Sequence, residues 1–379
     1  MTEEAFIQLE EALRAGGADR AFDFLAEKFR AEKKYPLLFE LRLMQKRREL
    51  GMPLLQIGSL DDVTADTRPA YEKGFIDAAR ETGGLFLGDG DIPRAWSYFR
   101  AIGEAAPVAA AIEKVEAGGD IDAILEIAYH ERVNPKRGFE LILANHGPCR
   151  AITSFGQFPG REGREESLKL LVRTLYRDIC ESMRRTISAQ EGAEPSSGSL
   201  RELMAGREWL FEGHNYYVDT SHLISIVRFS LELEDRETLA LAVELTEYGA
   251  RLSPMFQFKG DPPFQNVYED CGHYLHALLG EDTDAAIAHF RKKLEDDDPN
   301  DVTASVAQAL VGLLAHAERF AEAIEVSLQY LRDAEPSQLG CPTVLQLCQE
   351  AKDFDRLRGL AREKGDLLGF LSGAIGCRP

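Results

Sequence analysis

The sequence predicts an all-α protein in which antiparallel helix pairs stack as an α-solenoid, interrupted by long central loops. Three observations predict this. Runs that alternate apolar and polar residues, the signature of strands, are nearly absent. Apolar residues recur instead at steps of three and four, and clusters of Gly, Pro and Asp punctuate them at intervals of one short helix. Several segments also place a small residue, a large one and a proline at recurring offsets, as a repeat architecture requires.

The chain has 379 residues, of which 44% are hydrophobic and 28% charged. That is enough apolar material for a core and excludes a disordered chain. The length suits two domains or one extended array. The stretch AQEGAEPSSGSL, 189 to 200, has almost nothing to bury and reads as a linker or long loop. It separates an N-terminal helical-repeat region, 1–188, ending in an irregular loop and a helix, from a C-terminal one, 201–379.

A net charge of −20 repels phosphate backbones and anionic headgroups, so neither nucleic acid nor a membrane is an expected partner. The start, MTEEAFIQLEEALRAGG, is acidic and lacks the basic and apolar regions of a secretory signal. No apolar run is long enough to span a bilayer. The six cysteines (Cys149, Cys180, Cys271, Cys341, Cys348 and Cys377) are scattered without a CxxC, which reads as free thiols in a reducing cytoplasm.

The repeat pattern is clearest in ETGGLFLGDGDIPRAWSYFRAIGEAAP, 81 to 107. Gly83 and Phe86 take the small and aromatic positions of a first helix. Ala95 and Phe99 take the small and large positions of a second, and Pro107 closes the unit. A small residue lets two helices approach, a large one fills the gap between pairs, and proline stops a helix. Ala123, Ile127 and Pro135 form a second unit with the same Ala-to-Pro step. Ala286, Phe290 and Pro299, then Ala323 and Pro336, repeat the pattern with a common offset. DFDRLRGLAREKGD resembles a further second helix, and GGADRAFDFLAEKF a degenerate first unit. On these residues the chain resembles tetratricopeptide-repeat proteins over about half its length. That resemblance implies a scaffold whose concave groove binds a protein or peptide partner.

Three segments of the central third, 145 to 276, carry the remaining chemistry, because long loops in helical proteins tend to be functional. GHNYYVDTSH, 213 to 222, leads into a helix whose N-cap lies between Asp219 and Ser221 and whose apolar face is Leu223, Ile226, Val227 and Ser230. His222 then falls in the first turn, where the helix dipole favours neutral imidazole. His214, Asp219 and His222 are ligand types for zinc or iron. EDCGHYLHALLG repeats the Asp-x-x-His spacing at Asp270 and His273, with Glu269 as an i, i+4 alternative. A helical wheel sets His273 opposite the stripe of Phe264, Val267, Tyr268, Cys271, Leu275 and Leu278, which favours solvent unless the back of that helix faces a groove. NHGPCRAIT continues the stripe of Phe139, Ile142 and Leu143 to His146, directing it inward, with Gly147 as a left-handed cap and Pro148 blocking continuation. Cys149 beside it makes a Cys/His pair without any thiol-enzyme signature.

Each segment also has a structural explanation. Asp219 and Ser221 are what a helix start needs, Tyr216 and Tyr217 staple a loop, and a histidine at a helix end caps carbonyls. His289 and His316 fall in ordinary repeat helices, His130 and Glu126 on the surface, and KGDPPF in a turn. Nucleotide-binding, zinc-protease and serine-hydrolase signatures are missing. Two functions follow. The first is a soluble cytoplasmic scaffold binding a protein or peptide. The second is a metal-dependent hydrolase or lyase, using zinc or iron on His214, Asp219, His222, Asp270 and His273, with His146, Tyr216, Tyr217 and Ser221 around the pocket. No catalytic residue is named, and whether the chain is an enzyme is left open.

Overall fold

Gly83 sets the distance between two helices. A β-carbon at this position would lie 2.7 Å from the Phe99 ring, so only glycine admits that aromatic side chain. The computed structural model describes residues 3–55, 64–195, 198–295, 304–332 and 334–376. Their regular secondary structure is helical. The one β-type pairing among them is an isolated antiparallel bridge between Lys259 and Asn266.

The chain divides into two compact units, one of residues 1–150 and 157–164, the other of 151–156 and 165–379. The first contains α1 (Glu3–Ala31), α2 (Tyr35–Glu49), α3 (Arg68–Gly88), α4 (Ile92–Ala101), α5 (Ala106–Ile112), α6 (Asp122–Leu125, continuing as a π-helical turn to His130) and the start of α7 (Pro135–Gly156). The second contains α8 (Arg164–Glu191), α9 (Leu200–Met204), α10 (Thr220–Phe229), α11 (Arg236–Arg251), α12 (Val267–Leu278), α13 (Thr283–Glu295), α14 (Ser305–His316), α15 (Phe320–Tyr330), α16 (Val344–Glu350), α17 (Phe354–Glu363) and α18 (Leu367–Gly376). Helices adjacent in sequence pack on each other through most of both units. The stretch 189–200 falls inside the second unit; residues 196–197 of it, and Pro299 and Cys377, lie outside the described residues.

Local chemistry sets the helix boundaries. Asp91, Asp219, Asp235 and Asp353 cap four helices by accepting from backbone amides of the first turn. Ser199 with Glu202, and Thr343 with Gln346, form capping boxes. Of GGLFLGDGD, residues 83–88 end α3 and only 89–91 form the turn to α4, where Gly90 takes φ +79°.

Two cores follow from the predicted small and large positions. In the first unit Phe86, Ala95 and Phe99 are buried with Ile92, Val108 and Ile112. Pro107 lies in the first turn of α5 rather than at the end of α4, which stops at Ala101. In the second unit Ala286, Phe290 and Ala323 are fully buried among Leu310, Leu314 and Leu347. In the unit built on Ala123, Ile127 and Pro135 the repeat pattern does not hold. Ala123 is exposed, and its segment is one α-turn followed by a π-turn.

The stretch 145–166 is more regular than its composition predicts. Gly147, at φ +74°, breaks α7, but Pro148 then opens a second helical segment that runs to Gly156. Proline in the first turn of a helix loses no hydrogen bond, so it starts this one as readily as it stops the last.

Candidate functional site

The motif GHNYYVDTSH is a helix entrance. Asp219 Oδ1 accepts from the amides of Ser221 (2.8 Å) and His222 (3.4 Å) and from the Ser221 hydroxyl (2.5 Å). These bonds, the Ser221 hydroxyl first, hold the Asp219 carboxyl below its ordinary value. Leu223, Ile226, Val227 and Ser230 are all buried, as the stripe predicts. His214 is exposed, and its Nδ1 bonds the Ser253 hydroxyl at 2.8 Å. His222 is half-buried and Ser221 exposed. Tyr217 donates through its hydroxyl to the Leu210 carbonyl, and Tyr216 packs edge-on against Phe256. Tyr216, Tyr217 and Asp219 line an open cleft of about 620 Å³ with Arg185 and Asn215.

The polar cluster lies elsewhere in the second unit, where α12 and α13 form a hairpin. α12 packs α11 with one face and α13 with another. Gly272 lies close to Thr246 of α11, and His273 stacks on His289 of α13, ring centroids 4.3 Å apart and planes 25° from parallel. The back of α12 therefore meets a helix, and His273 is half-buried where the wheel favoured solvent. Asp270 is completely buried. Its Oδ1 accepts from His289 Nε2 at 2.7 Å, and its Oδ2 accepts from Lys293 Nζ at 2.7 Å and from the Asn266 amide at 2.8 Å. A buried carboxylate needs such partners, because an unpaired one is too costly to keep.

The stack has an electrostatic consequence. Burial, and secondly the neighbouring His289, depress the His273 pKa against the opposing pull of Glu269 and Asp270. Neutral imidazole is the form that binds metals. Glu269, His273 and His289 offer three donor atoms within 4.8 Å of one another, the one such group of His, Cys, Asp or Glu among the described residues. This group could hold a metal. Cys271 next to it is not a ready ligand, since burial pushes its thiol up to about 12.

The predicted ligands do not converge as one set. His214, Asp219 and His222 form no such group, and Asp270 is occupied by His289 and Lys293. Of the five, His273 alone joins the donor triad. His146, directed inward by the stripe, is exposed, because α7 breaks at Gly147 and its last turn passes beyond Leu141 and Ile142 into solvent. His289 and Lys293 are the residues missed by sequence reasoning, which placed His289 in an ordinary repeat helix. The signal was present: Glu269 and His273 precede the turn at Gly280–Asp282 by about as many residues as His289 and Lys293 follow it. A helix hairpin folds such positions onto each other.

Fold and cluster together define an all-helical protein of sequence-adjacent helix pairs with a buried Asp/His/Lys network inside one hairpin. Compared with protein-family models, curated proteins and solved structures, the chain matches none of them.

Proposed function

We propose that this chain is a tetratricopeptide-like helical scaffold that binds an amphipathic helix of a partner protein. The observation that carries this reading is an apolar groove in the first unit. It measures about 550 Å³ and is lined by α1 and α2 residues including Leu9, Leu13, Phe22, Leu25 and Met44, and by Met52 just after α2. Leu13 is 46% exposed in it, and Phe6 and Ile7 on the same helix are 53% and 48% exposed. Apolar side chains left open on a chain of net charge −20 mark a binding surface. α1 also carries exposed Glu3, Glu4, Glu10 and Glu11. The complementary occupant is a helix with one apolar face and lysines or arginines flanking it, the helix-in-groove mode of recognition. Methionine in the lining adapts to more than one such helix.

Titration with a labelled leucine/lysine model helix, followed by fluorescence anisotropy, tests this. Saturable binding that Leu13→Glu weakens at least tenfold supports the reading. Equal binding by the variant, or by a proline-broken peptide of the same composition, sinks it.

The cytoplasm suits this scaffold. Cys180, Cys271, Cys341 and Cys348 are free thiols, a state that a reducing compartment maintains. No described helix is long and apolar enough to cross a membrane. A second reading, a hydrolase or lyase using zinc or iron, is favoured by the Glu269/His273/His289 group alone. Metal-activated water would be its nucleophile.

A further inference from the structure

We propose that Glu269, His273 and His289 form a site for a divalent transition ion of the zinc or iron class, and that Asp270 is built in to position His289 for it. The inference rests on this group alone and needs neither a partner nor a reaction, so it stands or falls apart from the scaffold reading.

Three observations carry it. Two imidazoles and a carboxylate are a donor set that zinc and ferrous iron share, with nitrogen disfavouring magnesium and calcium. Asp270 then explains the orientation of one of them. Its Oδ1 lies 2.7 Å from His289 Nε2 while Oδ2 is taken by Lys293 and the Asn266 amide, so the tautomer with the proton on Nε2 completes the bond. That leaves Nδ1 with the lone pair. A buried carboxylate fixing a ligand imidazole in this way is the usual second layer of a metal site. Lys293 offsets the charge of Asp270, so the net charge offered to the ion comes from Glu269. The third observation is the proximity of the three donors. Ligands around a tetrahedral zinc lie about 3.3 Å apart for bonds of about 2.0–2.1 Å, against the 4.8 Å limit that the three donors satisfy. Glu269 is exposed and accepts a 3.2 Å bond from Asn266 Nδ2, which leaves its carboxylate room to move toward an ion. His273 and His289 are adjacent across the hairpin but stacked, so one ring has to turn for both in-plane lone pairs to meet one ion. Three protein ligands leave a coordination position open to water.

The test is zinc and, anaerobically, ferrous iron titrated into the metal-stripped full chain, read by calorimetry. One equivalent of either ion, bound at least tenfold more weakly by His273→Ala and by His289→Ala but unchanged in His276→Ala, is the expected result. His276 serves as the control because it lies on the same helix and pairs with Glu281. X-ray absorption of the zinc-loaded wild type reads the ligands without any variant: nitrogen and oxygen at about 2.0–2.1 Å are expected, while sulfur at about 2.3 Å would overturn the assignment. Asp270→Asn should lower affinity about 10–100-fold while two nitrogen ligands persist in the spectrum. Failure of the wild type to bind either ion stoichiometrically, or equal binding by both His→Ala variants, refutes the site. Neither outcome bears on binding at the α1–α2 groove, which is in the other unit.

Discussion

Asp270 of α12 and Lys293 of α13 are joined by a 2.7 Å ion pair in which the carboxylate is entirely inside the protein. Replacing one partner of such a pair strands the other charge. Asp270→Ala should therefore destabilise the second unit by about 3–5 kcal/mol. Adding Lys293→Met should recover part of that loss, because the stranded ammonium is then gone. Urea unfolding of the single and double variants measures the coupling. Additive losses would show that Lys293 already reaches water and that the pair contributes little.

A different constraint holds α3 to α4. A methyl group at position 83 would meet Phe99 Cε2 at 2.7 Å and Cδ2 at 2.9 Å, and Phe99 is buried. Gly83→Ala should cost about 1–3 kcal/mol by overpacking. Phe99→Leu should itself be destabilising, yet the double variant should be more stable than the two losses predict, since the smaller side chain makes room. Thermal unfolding of the four proteins completes the cycle. A neutral Gly83→Ala would mean that the helices separate at no cost and that the small residue is not what sets their distance.

These two sites show what was legible in the sequence. The small/large logic at Gly83, Ala95 and Phe99 could be read because it is local: each requirement is met within one helix pair. The Asp219 cap could be read for the same reason. The cluster around Asp270 could not, because a helical wheel assigns one apolar face and one solvent face, whereas α12 has helices against more than one side. A polar residue facing a second helix looks the same in sequence as one facing water. His289 was legible only through the pairing of two helices across a turn. His146 failed for the converse reason: its stripe was continued past the point where Gly147 ends the helix.

The Asp219 cap gives a pH-dependent prediction. Its hydrogen bonds with Ser221 and His222 favour the carboxylate, so the folded pKa lies below the unfolded value. The stabilisation is then complete above about pH 4 and is lost as pH falls through the folded pKa. Asp219→Ala should weaken α10 by about 1 kcal/mol at neutral pH, and the gap from wild type should shrink in acid. Asp219→Asn, a good neutral cap, should stay close to wild type at neutral pH and lose that acid sensitivity. Amide exchange of α10 reports both. A gap that does not change with pH would mean that the Asp219 charge is irrelevant to the cap.

The groove formed by α1 and α2 should discriminate by charge as well as by shape. Leu13 is 46% exposed, so Leu13→Glu should change folding stability by no more than about 0.5 kcal/mol. Phe22, 7% exposed in the lining of the same groove, should cost about 3–5 kcal/mol as Phe22→Ala. The Leu13→Glu variant therefore separates binding from folding. Carboxylates on α1 act at longer range. Neutralising Glu3, Glu4, Glu10 and Glu11 as glutamines should slow association of a lysine-flanked helix and flatten its salt dependence, with a smaller effect on dissociation. A glutamate-flanked helix with the same apolar face should bind wild type weakly and the four-glutamine variant better. Stopped-flow measurements at two salt concentrations distinguish these cases. If both peptides bind wild type equally, the acidity of α1 serves solubility alone, and the partner is defined by its apolar face.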